Sequence, residues 1–180
     1  MSWKTKLVVF VIVFLLGVYV GASAFSRTQV EKTDSTISSV NFSPNGGCEN
    51  QVVSWINRAN SSIHVLTYSF TLDSVRNALI DAYNRNISIG IVFEHDNIAG
   101  SGSEYQNLKN AGIDVRSDTG SGYMHDKVMI VDGKVVLTGS FNWSSNAENE
   151  NNENLVVITS DNIAAVYENE FQKIWNSATP

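Results

Sequence analysis

The chain has 180 residues, of which 43% are hydrophobic and 17% charged, a length and composition typical of one globular domain and not of a disordered or repetitive protein. Its single cysteine, Cys48, excludes an intramolecular disulfide and a zinc site built on several thiols. Residues 25–180 carry ten basic and 18 acidic side chains, a net charge of −8. Non-specific binding of a polyanion would therefore need a local basic patch.

The first residues have the features of an export signal. Two lysines precede an apolar run at residues 7–20, and an Ala-Ser-Ala sequence ends at Ala24. This order is typical of a cleaved secretory signal peptide. The apolar stretch that extends to Phe25 is also long enough for an uncleaved membrane anchor, so both alternatives stay open.

Either alternative exports the rest of the chain. The domain would be secreted or periplasmic, or it would be anchored to the outer face of the membrane through residues 7–25. The expected organisation is a signal peptide or anchor at residues 1–24, a polar tether at 25–36 and a single domain at 37–180.

Beyond the tether, hydrophobic periodicity predicts strands that alternate with helices. The predicted strands are residues 37–42, 62–70, 87–95, 113–117, 124–132, 134–142 and 154–160. The predicted helices are residues 48–60, 72–86, 103–112 and 161–178. Alternating strands and helices followed by consecutive strands imply an α/β fold, in which a mixed β-sheet is flanked by helices on both faces.

The carboxyl-terminal part of the chain gives two local expectations. The last helix is expected to bury an apolar stripe, and the polar stretch at residues 144–154 is expected to form a solvated loop. The residues of the expected stripe are Ile163, Val166, Phe171 and Ile174.

The Asp-Gly pair at residues 132–133 predicts a hairpin with a two-residue type I′ turn. Val131 would then pair with Lys134. Counting back along both strands, Lys127 would lie opposite Thr138, and directly opposed residues point to the same face of a sheet.

The same register gathers four polar side chains on one face of this hairpin. His125 would face Ser140, with Lys127 and Asn142 beside them. Taken singly, each would be an ordinary polar residue on a solvated strand. An imidazole, a cation, a hydroxyl and an amide that converge next to the Gly-rich stretch at residues 118–122 instead favour an oxyanion site, for which a phosphate is a natural ligand.

These residues form the pattern H-x-K-x4-D-x6-G-S-x-N from His125 to Asn142, which resembles the HKD signature of the phospholipase D superfamily. The chain is especially similar to the small single-motif endonucleases of that superfamily. The similarity runs from YSFT at residues 68–71 through GSFNW to NNENLVVI at 151–158, and it covers most of residues 38–176.

The resemblance implies a role for each matching residue. His125 would be the nucleophile or general acid, and Glu153 would orient its imidazole. The implied phosphate-binding residues are Lys127, Ser140 and Asn142. Asp132 belongs to the motif as a candidate catalytic residue, but its place in the hairpin turn already gives it a structural role, and a direct chemical role is the weaker alternative.

A single motif implies two chains. Displacement at a phosphodiester through a phosphohistidine needs a nucleophile on one side of phosphorus and a proton donor on the other, which one imidazole cannot supply in one step. We therefore expect a homodimer that brings two copies of His125 together at its two-fold interface. The resemblance to the small members of the family implies the same arrangement. No metal and no cofactor are expected, because two copies of Lys127 and nearby dipoles would stabilise the charge.

Two other positions carry polar residues that could suggest a site. Glu94, His95 and Asp96 are consecutive at a strand end, where a solvated position is expected in preference to a metal site. His64 lies within a predicted strand, where a hydrogen-bonded core or edge histidine is expected in preference to a catalytic one.

The sequence thus predicts a metal-independent phosphodiesterase. Nucleic acid is the expected substrate, with DNA favoured over RNA only by the resemblance to the nuclease branch. The alternative is a phospholipase D acting on membrane phospholipids. A non-enzymatic module that only binds phosphate is disfavoured because the whole set of motif residues is present.

Overall fold

The computed structural model describes Trp3 and residues 35–180. The leader expected at residues 1–24 and all but the end of the tether expected at 25–36 lie outside the described residues. Within the described part of the chain, no helix is long and apolar enough to cross a bilayer.

In residues 35–180, seven strands and five α-helices follow one another in nearly the predicted order. The strands are β1 (Thr36–Ser43), β2 (Ser62–Thr67), β3 (Ser88–Phe93), β4 (Asp114–Ser117), β5 (Lys127–Val131), β6 (Val135–Gly139) and β7 (Glu153–Thr159). The helices are α1 (Cys48–Arg58), α2 (Asp73–Asn84), α3 (Tyr105–Asn110), α4 (Ser145–Asn149) and α5 (Asp161–Ser177), with a 3-10 turn at His95–Asn97.

The strands form one mixed sheet in the order β1-β7-β6-β5-β2-β3-β4. Strands β2, β3 and β4 are parallel, because a helix crosses over between each pair, whereas every pair from β1 to β2 in this order is antiparallel. The prediction of an α/β fold with a mixed sheet is confirmed.

Both faces of the sheet are covered. On one face, α1 to α4 bury residues such as Ile56, Leu79 and Leu108 against the sheet. On the other face, Phe171 and Ala164 of α5 pack on residues of the central strands. Each large apolar side chain that is fully buried in this way contributes about 1.5–3 kcal/mol to folding. The prediction of helices on both faces is therefore also confirmed.

The apolar stripe of α5 differs from the expected one. Phe171 is buried, and Ile174 packs against the core as expected. The inclusion of Val166 is wrong, because its side chain is 48% exposed. Ala164 and Tyr167 take its place, because positions 164, 167, 171 and 174 follow the spacing of three or four residues that keeps side chains on one face of a helix.

The register predicted for the β5–β6 hairpin is wrong by one residue. Asp132 and Gly133 do adopt positive φ angles of 55° and 62°, as a type I′ turn requires. However, Val131 pairs with Val135 instead of Lys134. Lys134 closes the turn, since its N–H donates a hydrogen bond of 3.0 Å to the carbonyl of Val131, while its carbonyl accepts one of 2.9 Å from the N–H of Ser160, beyond the end of β7.

A consequence is that Val128, and not Lys127, lies opposite Thr138. His125 and Ser140 both lie outside the strands, because β5 begins at Lys127 and β6 ends at Gly139. The polar side chains of the motif therefore come together through loops at one end of the sheet.

The stretch at residues 144–154 is more structured than expected. It contains α4, whose first turn is capped by Ser144, with the Oγ accepting a hydrogen bond of 3.3 Å from the N–H of Ala147. Ala147 is fully buried. This segment therefore packs on the core and returns the chain to β7, where Glu153 is the first residue.

Candidate active site

The candidate site lies at one end of the sheet, at the carboxyl ends of β1, β2, β3 and β6. Thr67 at the end of β2 pairs with Lys127 at the start of β5, and Ser43 at the end of β1 pairs with Glu153 at the start of β7. Ligands of α/β sheets commonly bind in the crevice beyond the carboxyl ends of the strands. All five residues expected to act on the substrate or bind it lie here: His125, Ser140 and Asn142 are in loops, and Lys127 and Glu153 are the first residues of β5 and β7.

His125 is exposed, and its neighbours are held in place by other elements. The N–H of Met124 donates a hydrogen bond of 2.5 Å to the buried carboxylate of Glu94, and the carbonyl of Asp126 accepts one of 3.0 Å from the N–H of Tyr68. The ring of Tyr68 lies 4.3 Å from the ring of His125, centroid to centroid. No described side chain hydrogen bonds the imidazole of His125, so its nitrogens are available for chemistry.

Lys127 is a cation almost withdrawn from water, with only 8% of the residue exposed. Its Nζ donates a hydrogen bond of 2.8 Å to the carbonyl of His125 and lies 4.6 Å from the centre of the Tyr68 ring. Burial lowers the pKa of Lys127, while the carboxylates of Asp126 and Glu153 act in the opposite direction. A buried positive charge thus lies directly beside His125.

Ser140 and Glu153 are brought together just beyond Gly139, where the N–H groups of Ser140 and Phe141 both donate to the carbonyl of Asn154. Gly139 has a φ of 152°, and a Cβ there would lie 2.2 Å from the carbonyl oxygen of Asn154, which leaves room only for glycine. The Ser140 hydroxyl donates a hydrogen bond of 2.5 Å to Glu153 and accepts one of 3.1 Å from the N–H of Asn154.

Glu153 therefore contacts Ser140 and, through a bond of 3.2 Å, the amide of Asn151. It makes no hydrogen bond to His125 within the described chain. Its expected role in orienting His125 stays a prediction, and in the isolated chain its carboxylate fixes Ser140.

Asn142 presents a free amide at the site. Its Oδ1 is buried and has no hydrogen-bond partner among the described residues. The residues on either side, Phe141 and Trp143, are buried in the core, and the N–H of Trp143 donates to the carbonyl of Ser69. A buried polar group that is held in place without a partner is typical of a ligand-binding position.

Asp132 is the one motif residue that the fold does not bring to the site. It follows β5 at the opposite end from Lys127, about 16 Å away along the strand. Its carboxylate accepts hydrogen bonds from the backbone N–H groups of Asn60, Ser61 and Ser62. Burial alone would raise the pKa of this carboxyl, but these N–H donors hold it at about 2. The geometry supports the structural role.

Two residues of the site were not identified from the sequence. Tyr68 was recognised only as part of the YSFT stretch, although a residue directly after β2 lies next to the start of β5. Glu94 was expected at a solvated strand end, which is wrong, because it is 3% exposed and binds Met124. A carboxylate that ends a buried strand was the available signal.

His64, which lies within β2, has the contacts of a structural histidine. The Nδ1 of His64 lies 2.7 Å from the carboxylate of Glu168, and its ring stacks on Phe171 with the centroids 4.4 Å apart. The expectation of a hydrogen-bonded structural histidine is confirmed. In the described part of the chain, no group of three or more His, Cys, Asp and Glu side chains is placed to hold a metal ion.

Comparison with known proteins gives a family for this chain. The model of the family described as cardiolipin synthase, PLD-like domain, matches residues 52–175. A mitochondrial cardiolipin hydrolase of Xenopus tropicalis is 37% identical over 123 residues, which are 68% of this chain and 59% of that protein. The chain thus spans about three fifths of the length of that relative. A phospholipase D of Rickettsia prowazekii is 34% identical over 83% of this chain and 69% of its own length.

The fold has a similar match among solved structures. Nuc from Salmonella typhimurium, a phospholipase D family member, superimposes with a TM-score of 0.76 and 35% sequence identity, over 81% of this chain and 97% of Nuc. The sheet, the HKD residues and the matched family model therefore agree with the sequence resemblance. The chain belongs to the phospholipase D superfamily of phosphodiesterases.

Proposed function

We propose that the protein is an exported, metal-independent endonuclease that hydrolyses phosphodiester bonds of nucleic acid through a phosphohistidine intermediate. The observation that carries the proposal is the exposed imidazole of His125 beside the buried cation of Lys127. A free nucleophile next to a desolvated positive charge is suited to attack on an anionic phosphodiester.

The phosphate would lie between His125 and the residues that can bind its oxygens. The Lys127 ammonium supplies positive charge, and the Nδ2 N–H of Asn142 would donate a hydrogen bond to a phosphate oxygen. The Ser140 hydroxyl is already bonded to Glu153. In this proposal it either rotates toward the phosphate or stays where Glu153 holds it.

The reaction then has two balanced steps. A ring nitrogen of His125 attacks phosphorus, a P–N bond forms, and the P–O bond to the leaving group breaks while a second imidazole donates a proton to the departing oxygen. Water next attacks the phosphohistidine, the second imidazole accepts a proton from it, and the P–N bond breaks. The products are an alcohol and a phosphomonoester.

The second imidazole is proposed to be His125 of another copy of the chain. The other two histidines already have hydrogen-bond partners: His64 is held by Glu168 on the α5 side of the sheet, and the Nδ1 of His95 contacts Ser117. A homodimer with the site at its two-fold axis supplies the missing proton donor.

The test is cleavage of labelled single- and double-stranded oligonucleotides by the purified full-length protein in excess EDTA. The wild-type protein is expected to cleave, and His125→Asn is expected to lose at least about 100-fold in kcat because it removes the nucleophile. His64→Asn serves as the matched control and should retain activity. Loss of wild-type cleavage in EDTA would contradict metal independence, and cleavage by His125→Asn would contradict the mechanism.

Nucleic acid as the substrate is supported by size and resemblance. The chain resembles the small single-motif endonucleases over most of its domain, and it aligns with 97% of the Nuc chain. The net charge of −8 for residues 25–180 implies that binding is weak, because few cations are available to release counterions from the substrate. Cleavage should therefore depend only weakly on the salt concentration.

A second candidate is hydrolysis of phospholipids. The observation that favours it is the identity of 34–37% to proteins named mitochondrial cardiolipin hydrolase and phospholipase D. The chemistry at phosphorus would be the same. Release of phosphatidic acid from vesicles that contain cardiolipin or phosphatidylglycerol, abolished in His125→Asn, would support this candidate; its absence would remove it.

Export is proposed from the apolar segment at residues 7–20 and the small residues that end at Ala24. Mass spectrometry of the protein recovered from its own cells tests this directly. An amino terminus at Phe25 would indicate a cleaved signal peptide, an intact chain in the membrane fraction would indicate an anchor, and an intact chain in the cytosol would contradict export.

A further inference from the structure

A large aromatic side chain is left in water beside the candidate nucleophile. Tyr123 is 68% exposed and ends the loop that precedes Met124 and His125. Its ring meets the ring of Tyr68 edge to face, with centroids 6.1 Å apart, and Tyr68 in turn contacts His125. The exposed ring is therefore one aromatic contact away from the reacting group.

Tyr123 also lines a cleft. An open cavity of about 660 Å³ is bounded by residues 94–96, by the loop at residues 118–123 and by Thr179. A second depression of about 460 Å³ shares Asp118, Gly120, Gly122 and Tyr123 with the first and continues to His125. The first volume lies within the range of about 300–1,000 Å³ that is usual for small-ligand sites, and Tyr123 stands where the two parts meet.

The charges of this cleft show what it can accept. The lining of the first cavity includes the carboxylates of Glu94, Asp96 and Asp118, and it includes no lysine or arginine. A phosphate group would be repelled from this part of the cleft. A nucleobase has no negative charge, presents N–H donors and has two flat faces that stack on tyrosine.

We propose that this cleft binds one unpaired nucleobase of the substrate, stacked on Tyr123, while the adjacent phosphate is held at Lys127 and attacked by His125. The proposal rests on the proposed nuclease function and adds a substrate class to it. A base within a duplex can enter the cleft only after it is unpaired and unstacked, which requires a few kcal/mol. The enzyme is therefore selective for single strands.

The experiment tests whether the Tyr123 ring and one base of the substrate act together. Full-length wild-type protein, Tyr123→Ala and Tyr123→Phe are compared on a labelled single strand, on the matching duplex and on single strands that carry one abasic site at each position in turn. Tyr83→Ala is the matched control, because Tyr83 is also exposed, at 40%, but lies on α2 away from the cleft.

On the intact single strand, Tyr123→Ala is expected to lower kcat/KM about tenfold or more, as loss of one stacking platform does. Tyr123→Phe and Tyr83→Ala should stay near the wild-type value. For the wild-type protein, one abasic position next to the cleaved bond should produce the same loss, and Tyr123→Ala should show no further loss there. The duplex should be cleaved more slowly than the single strand.

The opposite results overturn the proposal. It is wrong if Tyr123→Ala cleaves the intact strand at the wild-type rate, or if the duplex is cleaved as fast as the single strand. It is also wrong if Tyr123→Ala loses as much kcat/KM, relative to the wild-type protein, on the abasic strand as on the intact strand. Weaker binding of Tyr123→Ala to phospholipid vesicles with unchanged strand cleavage would assign the ring to a membrane surface instead. If the wild-type protein cleaves no oligonucleotide, the proposed function fails and the base site fails with it; cleavage that is independent of Tyr123 overturns the base site alone.

Discussion

At the scale of single residues, Lys127 shows how the site stores unfavourable energy for its chemistry. Its ammonium is almost fully buried, yet its only hydrogen bond in the described structure is to a backbone carbonyl. A buried charge without a close carboxylate partner destabilises the folded state. The same desolvation strengthens its attraction for a phosphate, because no water competes for the charge.

We therefore expect Lys127→Met to stabilise the protein and to inactivate it. The substitution replaces a buried charge with an apolar side chain of similar length, which should raise the free energy of unfolding by about 0.5–2 kcal/mol. Thermal or urea denaturation measures the gain, and kcat should decrease by at least about 100-fold. The exposed Lys173, whose side chain is 74% exposed, provides the control Lys173→Met, which should change neither quantity.

The stabilisation should also depend on pH. Since the pKa of folded Lys127 lies below its ordinary value of 10.5, the unfolded chain retains the proton to higher pH than the folded chain does. The difference in stability between variant and wild type should thus be complete at neutral pH and should decrease as the pH rises toward 10.5. A difference that is constant over this range would show that charge is not its cause.

At the scale of elements, Asp132 connects two turns. Its carboxylate lies in the β5–β6 hairpin turn and binds three successive N–H groups where α1 leads into β2. These N–H groups would otherwise lack acceptors at the start of an inner strand. The motif residue farthest from the phosphate therefore aligns β2 with β5, and these are the strands that place Tyr68 beside Lys127.

Asp132→Asn should accordingly weaken folding and spare catalysis. Asparagine tolerates the positive φ of this turn, so the change removes mainly the charge. Because the pKa of Asp132 is about 2 instead of 3.8, its stabilisation is complete above pH 3.8 and is lost as the pH falls toward 2. With allowance for partial exposure, we expect a loss of about 1–2 kcal/mol at pH 7.

Denaturation curves of wild type and Asp132→Asn between pH 2 and 7 measure this difference, which should nearly disappear at the lowest pH. The specific activity of the folded variant should stay close to that of the wild type. The exposed Asp81 on α2 gives the matched control Asp81→Asn. A large decrease in kcat without loss of stability would instead assign a chemical role to Asp132.

The hairpin also shows how far elements could be predicted from the sequence. Alternation and helical spacing located every strand and four of the five α-helices, because those patterns report which side chains face a core. They did not report the hydrogen bond from Ser160 to Lys134, or the two bonds that the carbonyl of Asn154 accepts from Ser140 and Phe141. Both depend on β7, a strand that is distant in sequence from the turn.

The candidate site was predictable in its residue types but not in its contacts. The spacing of His125, Lys127, Ser140 and Asn142 predicts a phosphate site and identified the family. The bond between Ser140 and Glu153, and the burial of Glu94 against Met124, follow from loops whose shape local patterns do not encode. Tyr68 was accessible in principle, since it directly follows β2.

At the scale of the whole molecule, the chain contains one His125 and the proposed reaction uses two. In each turnover, one copy would contribute the nucleophile, and the other would contribute the imidazole that protonates the leaving oxygen and then accepts a proton from water. The exposed position of His125 at the end of the sheet is compatible with an opposing copy. The proposal of a homodimer with a shared site can be tested without knowing how the two copies contact each other.

A heterodimer that retains one His125 should be inactive. Wild type and His125→Asn, each with a different affinity tag, are co-expressed, and the doubly tagged species is purified by both tags in succession. If one imidazole attacks while the other protonates the leaving oxygen, this heterodimer should cleave at least about 100-fold more slowly than a doubly tagged pair of wild-type chains. Recovery of no doubly tagged protein would contradict a dimer, and half of the wild-type activity would show that each chain works alone, with its own proton donor still to be found among the groups around His125.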